Sequence, residues 1–192
     1  MPVKRIIFRR QGSSLSQCRV LASDVEIILD MRFYEDDGHE YGKEGAGDSM
    51  IERMKAFLRE RRTCVLATVG GDGPHCSLMS YAVAPDGTEI YMATHRQTKK
   101  HRNLVKNPAV SLLIDTRDAG SPSEPIRALT VNGLFRKIDD EGMRLRIREE
   151  LLADHPLLRE LLDDPEAEIF AVRIISLQLL EGIRDSSFFV LE

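Results

Sequence analysis

Apolar residues change their spacing along this chain in a way that predicts its elements. In "VEIILDMRFY" Val25, Ile27, Leu29, Met31 and Phe33 fall at every second position, as a strand with one buried face requires. The acid- and glycine-rich stretch 35–49 then reads as a connector. From Met50 the spacing lengthens: Met50, Ile51, Met54, Phe57 and Leu58 recur every three or four residues, which predicts a short amphipathic helix with Asp48 and Ser49 as its caps. "TCVLATV" is a continuous apolar strand run closed by the hairpin signal "GGDGP". "HCSLMSYAVA" predicts a second strand here, "PDGT" a tight turn and "EIYMAT" a third strand. Two successive hairpins would make a meander.

After residues 94–108 come the strand "AVSLLID", a loop "TRDAGSPSEP", and the long strand "IRALTVNGLFRKI", whose Gly133 marks the place for a bulge. Residues 139–163 predict a helix in two pieces broken at His155-Pro156, with Pro156 starting the second. "EIFAVRIISLQLL" is the last strand. Six strands with hairpin connections predict a small closed or partly split antiparallel barrel, because an open sheet of the same strands would leave edges to protect. The organisation expected is an N-terminal extension, 1–48, with one strand that packs on the barrel or on a partner subunit, and a barrel domain, 49–192.

Composition narrows the class. With 42% hydrophobic and 30% charged residues over 192 positions, one well-buried core is expected. No apolar run approaches the roughly 20 residues that span a bilayer, so a soluble, cytoplasmic protein without a membrane partner is expected. Three widely spaced cysteines, Cys18, Cys64 and Cys76, suit reduced thiols, and the five histidines form no metal-ligand pattern. No metal is expected. Dinucleotide, P-loop and nucleophile-elbow motifs are absent, since a strand rather than a helix follows "GGDGP".

Charge singles out one stretch. "THRQTKKHRNLVKNP" gathers His95, Arg96, Lys99, Lys100, His101 and Arg102 at the start of a helix, in a chain of formal net charge −4. Cations are disfavoured where unpaired amides already make the helix start positive. A bound phosphate would resolve the conflict, with Thr98 as N-cap and Lys99 and Lys100 in the first turn. The alternatives are a solvated helix face, or a nucleic-acid patch; the net acidity and the lack of interleaved aromatics speak against the latter.

The run "PHCSLMSYAVAPDGTEIYMATHRQTKKHRNLVKNPAVSLLI" resembles the FMN-binding split-barrel family typified by pyridoxamine 5'-phosphate oxidase, over about residues 50–182. The resemblance implies a six-stranded antiparallel split β-barrel with peripheral helices and non-covalent FMN. It implies that Ser77, Leu78, Met79 and Ser80 line the isoalloxazine, that Thr94 lies near the phosphate–ribityl end, and that Thr98, Lys99 and Lys100 cradle the phosphate. It also implies a homodimer with flavin between subunits and oxidoreduction of a small-molecule substrate, with reduced nicotinamide as a candidate electron donor. No catalytic side chain stands out; Tyr81 and His75 flank the flavin strand and read first as structural residues. Where the oxidase carries a phosphate-binding arginine this chain has Cys76, and where it carries a glutamine this chain has Ala128, next to Arg127. The oxidase's C-terminal arginine and histidine have no counterpart in "EGIRDSSFFVLE", so the implication stops short of pyridoxamine 5'-phosphate itself. Alternatives within the fold are a flavin- or haem-binding sensor or storage module, and an enzyme using haem or a deazaflavin.

Overall fold

A computed structural model describes residues 17–22, 25–30, 46–117, 126–182 and 185–191, with side chains from Ser49 onward. Met31 and Phe33, the connector 31–45 and most of the loop 116–125 lie outside the described residues. In the extension, β1 (Gln17–Ala22) and β2 (Val25–Asp30) pair as a hairpin in a two-stranded sheet of their own. The alternation that predicts β2 is therefore matched by a second strand that the pattern did not reveal.

The rest builds one large antiparallel sheet curled into a split barrel. Its strands are β3 (Thr63–Gly70), β4 (Gly73–Ser80), β5 (Ala82–Val83), β6 (Glu89–His95), β7 (Ala109–Asp115), β8 (Arg127–Lys137), β9 (Ala167–Glu181) and β10 (Asp185–Val190). Their order is β4-β3-β7-β8-β9-β6-β5, with β10 also on β9. The split comes from β9. β8 runs along most of its length on one side, whereas on the other β6 takes residues 167–173 and β10 takes residues 176–181. The expected meander is not formed, because β3–β4 and β6–β5 end on opposite edges of the sheet.

The crossover falls at Tyr81, in the middle of what reads as one strand. Its backbone N–H donates to Arg62 O (3.2 Å) and its hydroxyl to Leu58 O (2.8 Å), which turns the chain from β4 on one edge to β5 on the other. β10 is the other strand the sequence reading passes over; it folds back on β9 through Gly182, whose φ is 73°. Gly133 fulfils its expectation: the β8–β9 register shifts between Asn132 and Gly133. A Cβ there would meet Arg173 O and Val172 Cγ1, both at 2.6 Å, so the bulge requires glycine.

The helices are α1 (Ala46–Glu60), α2 (Lys99–Lys106), α3 (Glu141–Asp154) and α4 (Arg159–Asp163), with a 3-10 turn at Pro156–Leu158. The break at His155-Pro156 is where the pattern places it. α1 begins at Ala46, so Asp48 and Ser49 lie within its first turn and not before it. Met54, Phe57 and Leu58 of α1 close the main core over Leu66, Leu112, Leu129, Val131 and Leu177. A second core lies under α3, where Ile147 and Leu151 pack on Ala82, Tyr91, Ala93, Ile169 and Ala171.

Candidate functional site

Helix α2 joins β6 to β7 and packs on β3 and β4, so its first turn lies where three strands come close. Thr98 caps it as its position predicts, in extended backbone, with Oγ1 accepting from His101 N at 3.3 Å. The same hydroxyl donates to His95 O at 2.8 Å. Its one proton being committed there, its 3.2 Å contact with Thr94 Oγ1 has Thr94 as donor. Thr94 is only 2% exposed. Both hydroxyls are thus tied into the turn, and the donors it keeps for an anion are the backbone amides of Lys99 and Lys100, unpaired at a helix start, and the two ammonium groups. Asn107 ends the helix in extended backbone before Pro108, as the residue before proline favours.

The structure answers the charge conflict in part without a ligand. Glu168 accepts from Arg96 Nε at 3.3 Å and from His101 Nε2 at 3.0 Å. His95 Nε2 lies 3.6 Å from Asp164, and Lys99 Nζ 3.4 Å from Asp72 in the β3–β4 turn. Arg102 donates to Gln97 O at 2.7 Å. Among the described residues Lys100 has no ion-pair partner. Glu168, Asp164 and Asp72 were missed by the sequence reading because none is near residues 94–102 in the chain. β6–β9 pairing sets Thr94 opposite Glu168, and nothing local announces which strands pair.

The four residues of the expected flavin strand divide between two faces. β3–β4 pairing sets His75, Ser77 and Met79 opposite Thr68, Leu66 and Cys64, all three buried, and directly paired residues share a face. Met79 is core, and His75 and Ser77 are half-buried beside it. Cys76, Leu78 and Ser80 point outward, with Leu78 76% exposed. What all four share is the backbone of an edge strand, paired with β3 on one side only, whose open groups face a ligand or a partner.

Of the flanking residues, Tyr81 settles into a structural role. Tyr81 is 1% exposed and its hydroxyl is bonded to Leu58 O; burial pushes its pKa well above the usual phenol value. That suits a structural residue. Arg127 lies opposite Glu181 in the β8–β9 register, at the far end of β8, whereas Leu134 of that strand lies opposite Ala109, just after the end of α2. Seven residues of strand, about 23 Å, separate Arg127 from the α2–β7 junction within one chain.

A curled antiparallel sheet split along one shared strand, with a helix start between its edges, defines the chain as a split-barrel protein. A family model described as Pyridoxamine 5'-phosphate oxidase matches residues 50–189, and the chain belongs to that family. Solved structures share the fold. A haem-binding protein from Mycobacterium smegmatis matches with a TM-score of 0.65 and 17% identity, over 72% of this chain and 57% of its own. The present chain thus spans little more than half of that protein. A FAD-binding protein from Mesorhizobium loti matches at 0.55 and 20% identity, over 71% of this chain and 93% of its own. A haem storage protein from Vibrio cholerae matches at 0.55 and 16% identity, over 74% and 93%. No curated protein matches.

Proposed function

We propose that this chain binds FMN non-covalently and acts as a homodimeric oxidoreductase on a small molecule, with reduced nicotinamide as electron donor. The observation that carries the reading is the first turn of α2. There two amides are unpaired, Lys100 has no ion-pair partner among the described residues, and Lys99 meets only the exposed Asp72, while the neighbouring basic side chains are held by Glu168, Asp164 and Gln97. A phosphate fits such a set. The family supports a flavin ligand, and a solved relative of the fold is a FAD-binding protein.

In this reading Lys99 releases Asp72, itself 85% exposed, and joins Lys100 on the phosphate. Ser77 and the open backbone of β4 orient the ring, and Met79, packed in the core, holds that strand in place. FMN supplies the electron chemistry that side chains lack; the chain binds, orients and excludes water. Cys76 points away from this face, so the arginine lost at its position is not replaced there. The outward row Leu78–Val65–Leu113, set side by side by pairing of β4, β3 and β7, offers a second copy an apolar surface at the strand that holds the ring. A partner there would complete the site.

A second reading, haem binding, rests on His75. The rings of His95 and His101 meet Asp164 and Glu168, and His155 Nε2 donates to Tyr81 O at 2.9 Å. His75 has no side-chain partner among the described residues, so its nitrogens are open to an iron. The visible spectrum of the purified protein, repeated after adding FMN and desalting, separates the readings. A flavin band that survives desalting supports the first. A Soret band abolished by His75→Ala supports the second, and a colourless protein that retains neither cofactor refutes both.

A further inference from the structure

The end of the barrel far from α2 carries a second concentration of positive charge that the FMN reading leaves unused. Arg61, just after α1, places its guanidinium 5.5 Å from the centroid of the Phe57 ring, and Arg127, opening β8, places its own 5.0 Å from the same centroid. Phe57 is buried and both arginines are half-buried. Arg61 Nε is buried with no hydrogen-bond partner, and among the described residues neither guanidinium has an ion pair. The neighbouring acids are occupied. Glu181, opposite Arg127 in the β8–β9 register, accepts from Arg53 Nη2 with both oxygens at 3.0 Å. Asp115 accepts from Arg117 at 2.8 and 2.9 Å.

Two guanidiniums on one ring repel each other, and a buried N–H without an acceptor is costly. The face of Phe57 favours a cation beside it, and the guanidinium fork is suited to an oxyanion. We infer that Arg61 and Arg127 form an oxyanion-binding site for a carboxylate or phosphate group of a small-molecule ligand. Register gives its place. Ser80 pairs with Thr63 and Ala128 with Asp115, and Tyr81 N donates to Arg62 O, so the arginines stand at the Ser80 end of β4. Lys99 contacts Asp72 at the other end, about 23 Å away along an eight-residue strand. An oxyanion held at Arg61 and Arg127 therefore belongs to a second ligand, the substrate; that role, unlike the binding itself, rests on the flavin reading.

The test uses the full chain, with and without added FMN, titrated with benzoate in one series and inorganic phosphate in another. The readout is the Nε–H resonance of Arg61, assigned by its loss in Arg61→Lys. The expected result is a saturable shift, with Kd raised at least about tenfold in Arg127→Gln by loss of a charge-assisted pair and unchanged in the Lys99→Ala, Lys100→Ala double variant. Arg127→Lys keeps the charge without the fork and gives an intermediate Kd, which covers the case that Arg127→Gln does not fold. The series that saturates at lower concentration tells carboxylate from phosphate. A shift that never saturates, or one indifferent to both Arg127 variants, overturns the proposal. FMN retained without a saturable titration refutes this site alone; a saturable titration in a chain that does not retain FMN refutes the flavin reading alone.

Discussion

Asn103 of α2 donates from Nδ2 to Oγ1 of Thr68 on β3 at 3.1 Å, with both side chains buried. Thr68 in turn donates to His75 O at 3.3 Å, so one polar chain ties the helix to both strands of the β3–β4 hairpin. The arrangement depends on Gly70: the Asn103 amide oxygen occupies the space a Cβ there would take. Gly70→Ala is expected to destabilise by about 1–3 kcal/mol, the range for overpacking, with the loss read from urea unfolding. An unchanged midpoint would show that Asn103 moves aside freely.

Glu168 meets both Arg96 and His101 at the opening of α2. Glu168→Gln leaves Arg96 and His101 without their acid, and a hydrogen bond to a charged group contributes about 1.5–3 kcal/mol. Because Arg96 is nearly half exposed, the lower part of that range is expected. Thermal unfolding checks this. A variant as stable as the parent would mean that α2 is held by its apolar face and by Asn103 alone.

Burial pushes the Cys64 thiol up to about 12, from an ordinary 9.0, whereas Cys76 is exposed. Folding favours the protonated Cys64, so its contribution to stability is complete below pH 9.0 and is lost as pH rises towards 12. Mass spectrometry after iodoacetamide at pH 8 is expected to find Cys76 alkylated and Cys64 intact in the folded protein. Equal labelling of both would contradict the buried placement of β3.

Tyr81→Phe removes the bond to Leu58 O and leaves that buried carbonyl unpaired, a loss of about 1–3 kcal/mol. FMN affinity is expected to stay the same. A variant of parental stability with lost turnover would instead make Tyr81 a proton donor.

Much of the barrel was legible because its strands announce themselves one at a time. "AVSLLID" is β7 to the residue, Gly133 marks its bulge, and Thr98, Asn107 and Pro108 delimit α2. Periodicity reports one segment against water. It does not report which segment pairs with which, so the expected meander dissolved into opposite sheet edges, and Tyr81 hid a strand break inside an apolar run. The same blindness shaped the site. The basic cluster was visible, but Glu168, Asp164 and Asp72 reach it only through pairing of β6 with β9 and the turn between β3 and β4. Leu78 and Met79 looked alike in sequence, and the β3 register alone puts one outside and the other in the core.

The central claim is that Lys99 and Lys100 hold a phosphate at the start of α2, and FMN retention by the double variant Lys99→Ala, Lys100→Ala tests it most directly. Each charge-assisted contact contributes about 1.5–3 kcal/mol. The parent is therefore expected to keep FMN through desalting, and the variant to emerge folded and colourless, with circular dichroism matching the parent. A folded variant that keeps its flavin band as the parent does would contradict the account, and the phosphate would have to lie elsewhere on the barrel.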